Sequence, residues 1–304
     1  DLKALRALGL TAVHIIPEEG IFKGKSDLVM LDNDFKSFKK DVAQIIDFKT
    51  TGWSDRSYPN SLLGVMALIR QTLMDADWYY NSTQIIEKYP EQNPLIPFHP
   101  SLSELSDFRL NRKPILFVTK EEHGALRSLK IVDEFNLNPW ILGSGYEYRR
   151  LNLIAELNPF IIFPLDFPAK PKVKDPYVAL QYSTEQLKHW DMAPDNILKV
   201  FDKGLRFSLT SGTLKNKKEF RVNLQRIIDR GLPKSVALSA LTTFPAEAMG
   251  VAKTMGKIQP GYIANLVITD GDYFNTKSRI TSLWINGEEL FVADRHKVSV
   301  RGDW

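Results

Sequence analysis

The chain has 304 residues, 43% of them hydrophobic and 25% charged, the composition of a soluble globular protein with a core slightly larger than one average domain needs. It contains no cysteine, which excludes disulfides, thiolate metal ligands and a cysteine nucleophile. Forty Lys and Arg against 36 Asp and Glu leave a net charge of +4, spread along the chain without a basic stripe interleaved with aromatics, so nucleic acid is not implied.

Taken in order, the first nine residues (Asp1-Leu-Lys-Ala-Leu-Arg-Ala-Leu-Gly9) read as the middle of a helix with no initiator methionine. Residues 298–304 read as a strand entering a turn, so the expectation is a segment of a longer protein. There is no signal-peptide pattern and no apolar run long enough to span a bilayer. Apolar runs at residues 11–17, 43–49, 114–119, 140–143, 160–165 and 206–210 are strand candidates. Several are nearly continuous, as strands buried on both faces are.

Amphipathic stretches separate them. Residues 61–78 follow a Pro59-Asn60-Ser61 start signal and place Leu62, Val65, Met66, Leu68, Ile69, Leu73 and Met74 on one broad face. Residues 123–135 repeat Leu126, Leu129, Ile131 and Val132. Residues 219–230 repeat Val222, Leu224, Ile227 and Ile228, with Gly231 as C-terminal cap. The basic stretch 215–221 reads as a solvated helix start. Alternation of short strands with longer helices is the signature of βα units and a parallel sheet. From about residue 252 the pattern changes to short strands and turns, with Asn286-Gly287 as a hairpin signal. The expected division is 1–251 and 252–304.

Residues 231–251, from Gly231-Leu-Pro-Lys to Ala248-Met-Gly-Val251, resemble the end of an amidohydrolase barrel. Gly256-Lys-Ile-Gln-Pro-Gly261 and the run to Asp272 are similar to that superfamily's return to its β-sandwich, and Trp284-Ile-Asn-Gly287 matches its closing hairpin. Gly9-Leu-Thr-Ala-Val13 and residues 17–26 resemble the second βα unit of imidazolonepropionase-like members; residues 61–79 resemble a helix of the large exported bacterial ones. The resemblance implies an α/β fold: a (β/α)8 TIM-type barrel whose N-terminal part precedes this chain, joined to part of a β-sandwich. It also implies a periplasmic or exported location.

The family's reaction uses zinc-type metals at the strand C-termini to activate water against a C–N bond. The resemblance puts a His-x-His pair before Asp1, a His near Val118 or Thr119, a His near Ser144 or Gly145, and an Asp near Ser211 or Gly212. None of those residues is a metal ligand of that set. Among His14, His99, His123, His189 and His296, no two stand at metal-ligand spacing. His123 reads as a helix-start residue or a displaced ligand, and His189 as packed on a helix beside Trp190.

The candidate pocket residues are therefore His14, Lys49, Thr119, Ser144, Asp166 and Ser211, with no catalytic residue and no metal ligand assigned. Each has a bland alternative: a core histidine, an ion-paired lysine, a turn aspartate. Gly143-Ser-Gly145 reads as a tight turn or as backbone N–H groups offered to an anion, and no Gly-x-Ser-x-Gly elbow is present. The expectation is a degenerate amidohydrolase-like domain that binds or scaffolds. The alternative is an active hydrolase of amide or cyclic ureide C–N bonds, with zinc, completed by residues upstream. Its expected partners are the remainder of the same polypeptide or a sister amidohydrolase domain, and a small-molecule ligand, with no nucleic acid and no membrane span.

Overall fold

The computed structural model describes residues 2–50, 58–91 and 94–292; His296 and the expected strand at 298–304 lie outside them. In chain order the elements begin α1 (Leu2–Ala7), β1 (Ala12–Ile15), β2 (Phe22–Lys25), β3 (Asp27–Met30), β4 (Ser37–Lys39) and β5 (Gln44–Asp47). Then come α2 (Leu62–Lys88), α3 (Pro100–Leu110), β6 (Pro114–Val118), α4 (Glu122–Phe135), β7 (Asn138–Leu142), α5 (Leu151–Ala155) and β8 (Phe160–Pro164). The remainder is α6 (Pro176–Ala179), α7 (Thr184–Met192), α8 (Asn196–Asp202), β9 (Phe207–Thr210), α9 (Glu219–Asp229), α10 (Lys234–Leu241), α11 (Thr243–Ala248), β10 (Leu266–Thr269), β11 (Ile280–Ile285) and β12 (Glu288–Phe291). The fold is mixed α/β. No helix among the described residues is long and apolar enough to cross a membrane.

The chain divides into two compact units. The first comprises residues 15–27 and 39–161; the second comprises 1–14, 28–38 and 162–304. In the first, β5, β6 and β7 run parallel, with Ile46 opposite Phe117 and Phe117 opposite Ile141. β2 pairs antiparallel with β5 across a bulge between Phe22 and Gly24. All four residues of β5 are buried, as its apolar run requires of a strand covered on both faces. Ile46, Ile115 and Phe117 share a core with Val65, Ile69, Leu73 and Ala76 of α2 and with Ile131 and Val132 of α4.

α2 is capped by Ser61, whose Oγ accepts from Gly64 N at 3.2 Å. The helix continues a full ten residues past the predicted end, to Lys88. Its buried face is Val65, Ile69, Leu73, Ala76 and Tyr79, so Met74 points outward, contrary to the sequence expectation. At 100° per residue Met74 lies well round the cylinder from Leu73, and only one of the two can face the sheet. α4 ends at Asn136, whose φ of 50° is the left-handed cap that asparagine tolerates.

In the second unit, β1, β3 and β4 form one three-stranded sheet and β10, β11 and β12 another. Strands β2, β3 and β4 have no counterpart among the strand candidates; Phe22-Lys-Gly-Lys25 and Ser37-Phe-Lys39 are too polar to stand out as strands. Met30 and Leu31 share a core with Ile280, Leu283 and Ile285 of β11, and Leu2 and Leu5 of α1 pack on it. The hairpin at Asn286-Gly287 forms as expected, with φ of 53° and 86° and Ile285 opposite Glu288. Val222, expected on the buried face of α9, is exposed; Phe220 takes that place beside Leu224 and Ile227.

Gly256, in the motif that opens the C-terminal segment, has a φ of +92°. A Cβ there would lie 2.9 Å from Ala246 Cβ and 2.9 Å from Thr242 O, so only glycine fits against α11.

Candidate functional site

Parallel strands point their carboxyl ends to one edge of a sheet, and loops there carry chemistry because the sheet fixes their roots. In the first unit this edge carries three of the candidate residues: Lys49 after β5, Thr119 after β6 and Ser144 after β7. Lys49 is exposed and reaches Glu19 Oε2 at 3.4 Å. Thr119 is buried; its Oγ1 donates to Leu142 O at 2.8 Å and its N–H reaches the same carbonyl at 3.3 Å. Gly124, in the first turn of α4, lets the helix approach: a Cβ there would come within 3.3 Å of Thr119 Cβ.

The turn after β7 is closed by a residue the sequence did not single out. Glu147 is fully buried, and its Oε1 accepts from Ser144 N at 2.5 Å and Ser144 Oγ at 3.0 Å. Its Oε2 accepts from Gly145 N at 3.1 Å, and Gly145 has a φ of +86°. The Gly-Ser-Gly turn is thus an anion-binding nest, as one of its readings supposed, but its anion is a carboxylate of the same chain three residues on. Beside it, Arg149 Nη1 lies 3.3 Å from Glu122 Oε1 at the start of α4, with its guanidinium 4.6 Å from the Tyr146 ring centre.

A second missed group lies on the same edge. Asp47, the last residue of β5, is paired with Lys23 of β2 at 2.7 Å, each side chain only 9% exposed. Desolvation makes such a pair costly to form and costlier to break, because removing one partner strands the other charge. Its signal in the sequence is the lone Asp within the apolar run 43–49, two residues before Lys49.

The second unit holds the other three candidates. His14 is half-buried on β1, in the three-stranded sheet β1-β3-β4 and outside the parallel set β5-β6-β7. Asp166 follows β8 and is exposed. Ser211 follows β9 and is buried, and its carbonyl accepts from Lys217 Nζ at 2.6 Å. Lys217 also reaches Gly212 O at 3.1 Å. β8 and β9 are tied at this end by Leu165 N to Thr210 O, 3.2 Å, and α9 is tied to the same residue by Asn223 Nδ2 to Leu165 O, 2.7 Å.

Arg221 holds a neighbouring loop. Its guanidinium donates to Tyr273 O at 2.7 Å, to Ser278 O at 2.8 Å and to Asn275 O at 2.8 Å. The same group stacks 5.2 Å from the ring centre of Tyr273, whose hydroxyl donates to Leu8 O at 2.8 Å. Burial pushes the Tyr273 phenol up to about 12, against an opposite pull from Arg221. Lys217 and Arg221 come from the stretch read as a solvated helix start; both are instead spent on backbone carbonyls.

Of the polar groups at these strand ends, the Thr119 and Ser144 hydroxyls and the buried Asp47 and Glu147 carboxylates have partners within the chain, while Lys49 and Asp166 are exposed. His123 is exposed on α4, and Nδ1 of His99 accepts from Leu102 N at 3.3 Å as a helix cap. Among the described residues no three or more His, Asp or Glu side chains gather where they could hold a metal ion.

The model of the amidohydrolase family matches residues 195–290. Amidohydrolase tasK of Hapsidospora irregularis is 36% identical over 61 residues, 20% of this chain and 6% of that protein, so the chain spans a small part of this curated relative. An amidohydrolase from Thermotoga maritima MSB8 shares 20% identity and superposes with a TM-score of 0.78 over 95% of this chain and 74% of its own. A. niger ochratoxinase aligns more weakly, at 15% identity and a TM-score of 0.42 over 63% of this chain and 45% of its own. Residues 195–290 thus carry a sequence pattern similar to the amidohydrolase family's, and the chain shares the fold of an amidohydrolase over nearly its whole length.

Proposed function

We propose that this chain is a catalytically degenerate amidohydrolase-like domain that binds or scaffolds within a larger protein. The observation that carries the reading is where the strand-end polar groups are spent. Thr119 and Ser144 stand where the resemblance expects histidines, and their hydroxyls donate to Leu142 O and to Glu147. Ser211 stands where it expects an aspartate, with its carbonyl bound by Lys217. Neutral hydroxyls held in this way do not fit a zinc site, which calls for imidazole, carboxylate or thiolate donors.

The alternation β5-α2-α3-β6-α4-β7 and the likeness to the T. maritima fold support a (β/α)8 barrel segment over residues 1–251, with 252–304 as part of the companion β-domain. The core shared by Met30, Leu31 and β11 argues for adding residues 1–14 and 28–38 to that β-domain. As partner we favour the rest of the same polypeptide or a sister amidohydrolase domain. In tasK, 61 residues make up 6% of the protein, a length of roughly 1,000 residues with room for several domains. Export to the periplasm belongs to the same reading and rests on resemblance. Lys49 and Asp166 are the candidates to touch a small-molecule ligand, being exposed at strand ends.

A second reading is an active zinc-dependent hydrolase of amide or cyclic ureide C–N bonds completed by residues upstream of this chain, with one metal on a His-x-His pair there and Lys49 as a further candidate ligand. The match of residues 195–290 to the amidohydrolase model favours it. Zinc in such a site lowers the pKa of bound water and polarises the carbonyl. The two readings separate in an assay of the longer protein that includes the residues upstream of Asp1, on N-acyl amino acids and cyclic ureides, with added zinc and with a chelator. Degeneracy is expected to give no turnover above buffer in either condition; zinc-dependent turnover abolished by the chelator would overturn it.

A further inference from the structure

The outward face of α2 is a continuous stripe. Leu63, Ala67, Gln71, Met74, Trp78, Asn81 and Ile85 are all exposed and, at 100° per residue, fall within one 80° arc opposite the buried face. From Ala67 to Ile85 their spacing alternates 4, 3, 4, 3 and 4, the period of a helix seam that packs on another helix. Leu63, Met74, Trp78 and Ile85 expose 79, 49, 58 and 52% of their surface, and the cap residue Tyr89 exposes 46%. A solvated helix face in a protein with 25% charged residues does not ordinarily carry these side chains contiguously.

We propose that this face is a two-fold interface with a second copy of the chain, in which α2 packs antiparallel on α2 of its partner. The argument is self-complementarity. In a two-fold antiparallel pair a residue on one side of the centre meets its counterpart on the other side in the second copy. Centred on Ala76, that rule puts Met74 opposite Trp78, Gln71 opposite Asn81, Ala67 opposite Ile85 and Leu63 opposite Tyr89.

Every one of these pairs matches in kind. Ala67 leaves room for Ile85, two amides meet where a hydrogen-bonded polar pair fixes register, and the thioether of Met74 meets an indole. In the connection beyond the helix, Leu95 and Phe98 are also 85% and 76% exposed. Together these side chains present on the order of 800 Å², about what each partner gives to an interface of standard size. The cost is the approach of the two Asp75 carboxylates beside the axis, each already accepting from Gln71 Nε2 at 2.7 Å.

This inference does not depend on whether the domain is active. The chain has no cysteine, so engineered thiols report without background. In the proposed register residues 71 and 81 of different copies face each other, whereas the two copies of residue 71 are about 15 Å apart along the axis. The double variant Gln71→Cys/Asn81→Cys is therefore expected to oxidise to a covalent dimer and Gln71→Cys alone to stay monomeric on a non-reducing gel.

Sedimentation equilibrium of the unmodified chain is expected to show a monomer–dimer equilibrium. Trp78→Glu should weaken it at least ~10-fold with the melting temperature of the monomer unchanged. A chain that stays monomeric at about 100 μM, equal cross-linking by the single and double variants, or association that survives Trp78→Glu would overturn the proposal.

Discussion

The two units close their strand-end loops with opposite charges. In the first, carboxylates do the work: Glu147 takes two N–H groups and a hydroxyl of the turn after β7, and Asp47 at the end of β5 takes Lys23. In the second, cations do it: Lys217 binds two carbonyls after β9, and Arg221 binds three of the loop at residues 273–278. The difference follows from what each loop leaves unpaired. A glycine turn exposes N–H groups and takes an anion, while a loop that turns carbonyls inward takes a donor. In both units, side chains that could serve chemistry at a strand end are used to hold the backbone.

The largest effect is expected at the Lys23–Asp47 pair. Asp47→Asn leaves a buried ammonium without its counter-charge and should cost about 3–5 kcal/mol in denaturant unfolding. Lys23→Met combined with Asp47→Leu should recover most of that loss. A double variant as unstable as the single one would show that the pair contributes more than charge compensation.

Next comes the anion clamp. Glu147→Ala strands the N–H groups of Ser144 and Gly145 and should cost about 2–4 kcal/mol, while Glu147→Gln, which keeps an acceptor oxygen, should cost less than half as much. Equal losses would break the comparison, since a clamp that works through acceptance must tell the two apart.

On the cationic side, Arg221→Ala should cost about 2–3 kcal/mol, and Arg221→Lys should recover little, because one ammonium cannot reproduce a planar fork spread over three carbonyls. Native-state hydrogen exchange around residues 270–279 should speed up in both variants.

The smallest effect is confined to alkaline pH. Tyr273 ionises near 10 when unfolded and near 12 when folded, so the unfolded state loses its proton first. Its contribution is present in full below about pH 10 and is lost as pH rises through 12, about 2–3 kcal/mol in all. Absorbance titration at 295 nm should show one tyrosine ionising only near pH 12, and Tyr273→Phe should remove that step.

How far the sequence could be read depended on what carries pattern. Strands β5 to β9 announced themselves because burial on both faces demands continuous apolar runs, and the Asn286-Gly287 hairpin because few residues adopt its dihedrals. β2 and β4 did not, since short strands that are not buried tolerate Lys and Gly, and β3 did not although Leu28, Val29 and Met30 are buried, because its apolar run is only four residues long. α2 was legible on its inner face only: the outward Met74 fits an inner stripe as well by eye, and its true position emerges once the helix extends to Lys88. Glu147, Lys217 and Arg221 were invisible for a different reason. Their partners are backbone groups, which leave no trace in residue type, so the charged residues read as solvent-facing. The Gly-Ser-Gly turn was readable as a tight turn or as N–H groups offered to an anion; what fills it is set three residues later by a glutamate with no distinguishing motif.

At the centre stands the proposal that this chain holds no zinc, because Thr119 and Ser144, where the resemblance expects histidines, have hydroxyls bound within the fold. The most direct test is the metal content of the purified chain by mass spectrometry after exposure to excess zinc and desalting. The account expects a content near zero; one or two tightly held zinc ions per chain would contradict it and bring the hydrolase reading to the front.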